Sequence, residues 1–261
     1  FLLAVLPRSG KYRGYTMHIL RAESPGPDVG KLVPKMRQTA SILYALYIGL
    51  TVADVIFLLL GDMDAFEALC TAFGTAGTGG FGVRADSMAS YSPYIQNVCT
   101  VFMFLFGVNF NLYYLLLLKR GTELLRNTEL KVYAGIVLVS VAAITIDILP
   151  LYQSFSVSLR QAAFQVTSIM STTGFITADF TVWSPLSKMI LLMLMFVGGC
   201  AGSTAGGLKV SRLTILCKMI RRELRHTLRP RMVDVIKVDG HQLSEQTAHS
   251  IVVYFALYML C

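Results

Sequence analysis

The sequence predicts an all-α polytopic membrane protein built from repeated helix–re-entrant pore loop–helix units. Three observations carry this. Of 261 residues, 54% are hydrophobic and only 15% charged, against about 25% charged in an ordinary soluble domain. Two glycine- and threonine-rich stretches, TAFGTAGTGGFGV at 71–83 and SIMSTTGFITA at 168–178, recur about ninety residues apart. Each follows an apolar segment too short to cross a bilayer and lies between two segments long enough to do so.

Residues 1–39 read as the end of a preceding span and a polar connection rich in Pro and Gly. The sequence opens on Phe1 without a charged lead or a small-residue cleavage site, so it does not read as a signal peptide. Both ends are expected to be cut from a longer protein. Residues 40–118 form the first complete repeat. Its first span, 40–60, has 21 residues and reaches roughly 30 Å. It contains Asp54, an acid inside a membrane segment and hence a functional candidate; the plainer reading is that Asp54 bonds neighbouring helices near the outer interface. The short helix of 62–77 starts with Asp64 and Glu67 in the spacing of a capping box. It runs into glycines rather than a polar loop, the mark of a helix that enters and turns back. Residues 94–118 read as one returning span.

After a basic connection at 119–131 the unit repeats over 132–210. A span at 132–151 carries Asp147 near its outer end, a short helix occupies 158–172, STTGF makes the return, and 185–208 spans again. Placing Gly80 on Gly174 sets Phe81 on Phe175, two side chains expected to anchor the returns by packing. A basic connection at 211–247 and the start of another span at 248–261 follow.

Charge gives the orientation. Of 23 Lys and Arg, seven lie in 8–37, four in 119–131 and nine in 209–237, leaving Arg84, Arg160 and Lys188 elsewhere. These three basic stretches alternate with the spans, which puts them on the cytoplasmic side. The opposite loops carry Asp62, Asp64, Glu67, Asp86 and Asp179, an acidic face that gathers cations. This distribution excludes nucleic acid as the reason for the net charge of +8. Five cysteines without CxxC spacing read as free thiols on apolar faces, and four histidines at or outside the span edges give no metal or catalytic constellation.

An ion crossing the membrane must exchange water for other oxygens, which a ring of backbone carbonyls supplies. Glycine permits the dihedral angles that aim carbonyls at one axis. Thr78, Thr172 and Thr173 can add hydroxyl oxygens at the inner entrance. Both short helices enter from outside, so their negative C-terminal ends point towards the membrane centre and favour a cation. Close helix packing of the GxxxG kind explains one such stretch, but not two in the same context. A second cluster, VGGCAGSTAGGLK at 197–209, sets Gly198, Gly199, Gly202, Gly206 and Gly207 inside the last span of the second repeat. At about 1 kcal/mol per glycine a continuous helix is disfavoured. The expectation is a break whose loop, with Ser203 and Thr204, lies under the filter as a movable gate. The matching place in the first repeat, FGVNFNLYY, keeps only Gly107 and reads as a better helix; Asn109 and Asn111 are expected to pack, the alternatives being bonds to this loop or a place lining the inner cavity.

The stretches RAESPGP, GDMDAFEALCTAF, STTGFITADF and above all FVGGCAGSTAGGLKVSR resemble the TrkH/TrkG membrane subunits of bacterial potassium uptake systems. That group belongs to a superfamily with KtrB and the plant HKT transporters, and the resemblance covers essentially the whole chain. It implies four consecutive pore repeats around one path, of which this sequence matches the second and third. It further implies filter positions at Thr78, Gly79, Gly80, Thr172, Thr173 and Gly174, with K+ as the transported ion at Gly80 and Gly174. Residues 198–207 correspond to the family's intramembrane gating loop. The first and fourth pore loops, and the basic residue of the family's last span, are absent. A homodimer in the inner cell membrane, seated on cytoplasmic nucleotide-binding regulatory subunits of the TrkA/KtrA type, is implied too. The basic segment 209–237 suits that contact and suits anionic lipid equally. The rival readings are a sodium-linked or sodium-permeable transporter, an intramembrane enzyme and a non-conducting scaffold. Serine at a filter glycine is the family's hint of sodium permeability, and neither Gly80 nor Gly174 carries it. An enzyme needs convergent reactive groups at depth, where only Asp54 and Asp147 lie.

Overall fold

Nine α-helices, a 3-10 helix at Phe180–Val182 and one β-ribbon of two two-residue strands make up the described residues of a computed structural model, 36–119, 121, 127–229, 237–238, 241–242 and 245–260. Residues 1–35 of the segment expected at 1–39, and residues 120 and 122–126 of the connection expected at 119–131, lie outside the described residues, as do His18 and Cys261. In chain order the helices are α1 (Met36–Leu59), α2 (Ala65–Ala76), α3 (Pro93–Phe106), α4 (Phe110–Leu117), α5 (Thr128–Tyr152), α6 (Phe155–Met170), α7 (Pro185–Val197), α8 (Val210–Leu228) and α9 (Glu245–Leu260). The strands Lys237–Val238 and His241–Gln242 pair antiparallel between α8 and α9. By length and composition, 40–59 of α1 and all of α5 can cross a membrane, and α3 with α4 makes a third crossing if the bent pair is one span.

Local chemistry explains where these helices begin and end. The Asp64 carboxylate accepts the Phe66 amide and caps α2. Ser92 and Ser184 cap α3 and α7, each followed by proline at the first helical position, where its missing N–H costs nothing. At 12 residues α2 reaches about 18 Å and at 16 residues α6 about 24 Å, both short of a hydrocarbon core. The short-helix reading therefore holds for both repeats.

Four expectations are corrected. Residues 94–118 do not form one straight span: α3 and α4 meet at 91° across Gly107–Asn109. The bend is anchored by the Cys200 amide, which donates to the Gly107 carbonyl at 2.9 Å, and by the Phe110 amide, which donates to the Gly202 carbonyl at 3.1 Å. Asn109 caps α4 through the Asn111 amide instead of merely packing. Glu67 does not return to the α2 cap, because the Arg84 guanidinium holds both its oxygens at 3.0 Å. Phe81 is 82% exposed and anchors nothing, whereas Phe175 is fully buried.

The two repeats are locked by exchanged side chains. Phe164 and Phe175 of the second repeat sit in the core formed by Leu58, Ala68, Ala72, Cys99 and Met103 of the first. Val108 and Leu112 of the first repeat join Tyr133, Ile144, Val166 and Leu191 of the second. Asp147 accepts hydrogen bonds from the Ser184 and Ser187 hydroxyls and so ties α5 to the start of α7, a structural role. Asp54 differs. It is fully buried five residues from the end of α1, yet among the described residues neither carboxylate oxygen has a hydrogen-bond partner, so it bonds none of the neighbouring helices described. Removing an unsatisfied buried group stabilises a fold by about 1–2 kcal/mol. Asp54→Val is accordingly expected to raise the thermal unfolding temperature in detergent; a fall would mean that the carboxyl has a partner.

Candidate functional site: two glycine-rich returns and the loop beside them

The returns after α2 and α6 have the same backbone, residue for residue. Thr78 (φ 50°) matches Thr172 (φ 58°), and Gly80 (φ 64°) matches Gly174 (φ 90°), all left-handed. Their hydrogen bonds match as well. The Gly79 and Gly80 amides both donate to the Gly74 carbonyl, at 2.8 and 3.4 Å, and the Thr173 and Gly174 amides both donate to the Ser168 carbonyl, at 2.9 and 3.3 Å. Left-handed threonine is unfavourable on its own. Its recurrence at the same place in both copies marks a conformation that the surroundings enforce.

These segments touch each other. A Cβ added at Gly80 would lie 2.0 Å from the Thr173 carbonyl oxygen and 3.1 Å from the Gly174 carbonyl carbon. Glycine at 80 is thus required twice, by its dihedral angle and by this approach. On the outer side the Met88 amide donates to the Ile176 carbonyl at 2.9 Å, and the Ile176 amide to the Ser87 hydroxyl at 3.2 Å, joining the two exits. The side-chain cores differ between copies. Ser168 donates to the Phe175 carbonyl, whereas its counterpart Gly74 leaves room for the Phe175 ring, 3.0 Å from where a Cβ would sit.

Electrostatics around the segments favours cations. Both α2 and α6 end at the glycine-containing returns, with Gly77 and Ser171 as C-caps, so the partial negative charge of each helix end is directed there. On the outer side the Arg84 guanidinium holds the Glu67 carboxyl below its ordinary range, and hydrogen bonds from Thr181 do the same for Asp179. Both acids are therefore ionised at neutral pH.

The glycine cluster does break the span. α7 stops at Val197, Gly198 turns left-handed at φ 73°, and α8 starts at Val210. The limbs of the loop pair with each other: the Leu208, Lys209 and Val210 amides donate to the Phe196, Val197 and Gly199 carbonyls at 3.0–3.2 Å. The tip reaches the inner ends of both returns. The Thr78 hydroxyl donates to the Thr204 carbonyl at 3.2 Å, and the Gly206 amide donates to the Thr172 hydroxyl at 2.7 Å. The Thr204 hydroxyl donates to the Phe106 carbonyl at 3.2 Å, and Ser203 folds back onto the Cys200 carbonyl. The Thr173 hydroxyl instead pairs with Ser171 at 2.7 Å in a buried position, away from the loop.

Sequence reasoning missed Glu129, whose Oε1 accepts the Ala201 amide at 2.6 Å and the Ser211 amide at 3.2 Å. The only signal was an acid two residues after Asn127, the cap of α5. Among the described residues Cys70, Cys99, Cys200 and Cys217 are free thiols, and no group of three or more His, Cys, Asp or Glu is placed to hold a metal ion.

Comparison with known proteins agrees with this geometry. The family TrkH, described as a cation transport protein, matches residues 3–261. The Trk system potassium uptake protein TrkH of Escherichia coli (strain K12) is 35% identical over 249 residues, 94% of this chain and 52% of that protein. The Trk system potassium uptake protein TrkG of the same organism is 30% identical over 266 residues, 99% of this chain and 53% of that protein. The crystal structure of the potassium transporter TrkH from Vibrio parahaemolyticus superposes with a TM-score of 0.82 at 32% identity, over 89% of this chain and 51% of that one. The chain spans about half the length of the curated relatives it matches.

Proposed function

Because the chain belongs to the TrkH family of cation transport proteins, we propose that it contributes two walls of a potassium path across the cell membrane. The observation that carries this is the repeated backbone of Thr78–Gly80 and Thr172–Gly174, brought into contact at the ends of two short helices. Backbone carbonyls of Thr78, Gly79, Gly80, Thr172, Thr173 and Gly174 replace the water around K+, with Gly80 and Gly174 at the ion positions. The loop of Gly198, Gly199, Gly202, Ser203, Thr204, Gly206 and Gly207 closes the inner side, supported by its hydrogen bonds to Thr78 and Thr172. Relatives named for potassium uptake, and glycine at both filter positions, favour potassium over the sodium-permeable alternative.

In this reading the protein acts as a homodimer in the inner membrane, and basic α8 meets a nucleotide-binding regulatory subunit or anionic lipid on the cytoplasmic side. The test is potassium and sodium flux in liposomes holding the full-length protein, with Gly80→Ser and Gly174→Ser. Each substitution is expected to lower the potassium-to-sodium ratio; unaltered selectivity in both would overturn the filter assignment. Deleting 201–205 is expected to raise flux, and unchanged flux would remove the gate.

A further inference from the structure

We infer that Glu129 is the positioning residue that latches the 198–207 loop in its seated, path-closing place and couples its release to α8. The inference rests on the gating reading above. The loop is seated in this structure, since its tip bonds Thr78 of one repeat and Thr172 of the other. Something must hold a segment with five glycines in that one conformation, because glycine leaves the backbone much freedom to lose. The limb-to-limb pairing shapes the hairpin but does not fix it to the surrounding helices.

The Cys200, Phe110 and Thr204 hydrogen bonds tie the loop to the α3–α4 bend, and Glu129 ties it to the first turn of α5. One oxygen of its carboxylate takes the Ala201 amide from the loop tip and the Ser211 amide from the second residue of α8. A single acid thus joins three pieces: the second repeat's first helix, the loop and the outgoing helix. An acidic side chain suits the place, since the N-terminus of the 19-residue α8 carries partial positive charge. Hydrogen bonds to an ionised acceptor are roughly twice as strong as neutral ones.

The geometry also gives the latch a handle. Ser211 and Ala201 share one acceptor atom, so a displacement of α8 that withdraws the Ser211 amide disturbs the bond that seats the loop. α8 carries Lys218, Arg221, Arg222 and Arg225, in the basic stretch that its charge assigns to the cytoplasmic side. The start of α8 is itself gripped, with the buried Arg212 guanidinium 3.6 Å from the centre of the Tyr254 ring on α9.

The test uses the full-length protein in liposomes and compares Glu129→Ala and Glu129→Gln with wild type. Losing charge-assisted hydrogen bonds should raise potassium flux about tenfold in Glu129→Ala. Glu129→Gln, which keeps an oxygen acceptor without the charge, should fall between. The potassium-to-sodium ratio should stay at the wild-type value in both, because the filter is untouched. Amide exchange across 199–211 should quicken in the same order, a readout that a general loss of stability would spread over α5 and α6 as well. Flux at or below wild type in a folded Glu129→Ala overturns the latch. Should Glu129→Ala not accumulate, Glu129→Gln decides alone: unchanged exchange at 201 and 211 overturns the latch, and faster exchange with raised flux supports it. The 201–205 deletion separates the two readings. Raised flux there with none in the Glu129 variants sinks only the latch; unchanged flux there sinks the gate itself.

Discussion

Gly80→Ala is expected to lower potassium flux about 100-fold, while Gly174→Ala lowers it only about tenfold. The two positions are equivalent by sequence offset, by left-handed φ and by the amide bonds behind them, so the sequence gives no reason to tell them apart. Their surroundings do. At Gly80 a methyl group would sit 2.0 Å from the Thr173 carbonyl oxygen, far inside the roughly 3.5 Å of an ordinary contact. Since the obstacle is backbone, no rotamer change relieves it, and the filter segments must move apart by about 1 Å or more, a displacement that costs about 100-fold in comparable sites. At Gly174 no atom lies within 4 Å of the added carbon, and the only penalty is the φ of 90°, about 1–2 kcal/mol of backbone strain. Flux there should fall roughly tenfold by that penalty. Efflux from liposomes at matched protein content decides the matter. Equal losses at the two positions would show that the segments do not meet as described.

The repeat was legible because both copies keep the same order of short helix, threonine, glycine and phenylalanine, and because chain length alone separates a crossing helix from one that must turn back. The loop at 198–207 was legible from glycine density. What the pattern hid came from partners distant in sequence. Gly107 alone is weak evidence for a break, and the bend there depends on Cys200 and Gly202, about ninety residues on, and on Tyr133, whose hydroxyl lies 2.2 Å from where a Gly107 Cβ would be. Glu67 satisfied the spacing of a capping box, but Arg84 in the following loop offers it a bidentate charged pair, which is stronger than a backbone amide. Phe81 and Phe175 occupy equivalent positions, yet only Phe175 meets a neighbouring repeat among the described residues. A one-dimensional repeat carries no information about which copy faces which. Glu129 was hidden for the same reason, since its partners are backbone amides 72 and 82 positions away.

Gly198→Ala should unseat the loop and so raise potassium flux while lowering thermal stability by about 2–4 kcal/mol. Gly198 stands at φ 73°, and a Cβ there would meet the Gly206 carbonyl oxygen at 2.2 Å and the Gly207 Cα at 2.8 Å. The two limbs of the loop cross at this point with no side chain between them, and Gly207 makes the reciprocal approach, 2.7 Å from Cβ to the Gly198 Cα. One methyl group therefore forces the limbs apart where their amide bonds begin, and the tip loses its place beneath Thr78 and Thr172. Gly135→Ala in α5 is the natural control. Its Cβ meets nothing within 4 Å, and a helical Gly→Ala change at an unobstructed position stabilises by about 0.4–1 kcal/mol. The pair separates mechanism from general damage. A gate held shut by the loop predicts more flux from the less stable protein, the reverse of what a failing fold gives. If Gly198→Ala loses flux in step with stability while Gly135→Ala gains stability, the loop is a structural part of the path and not its gate.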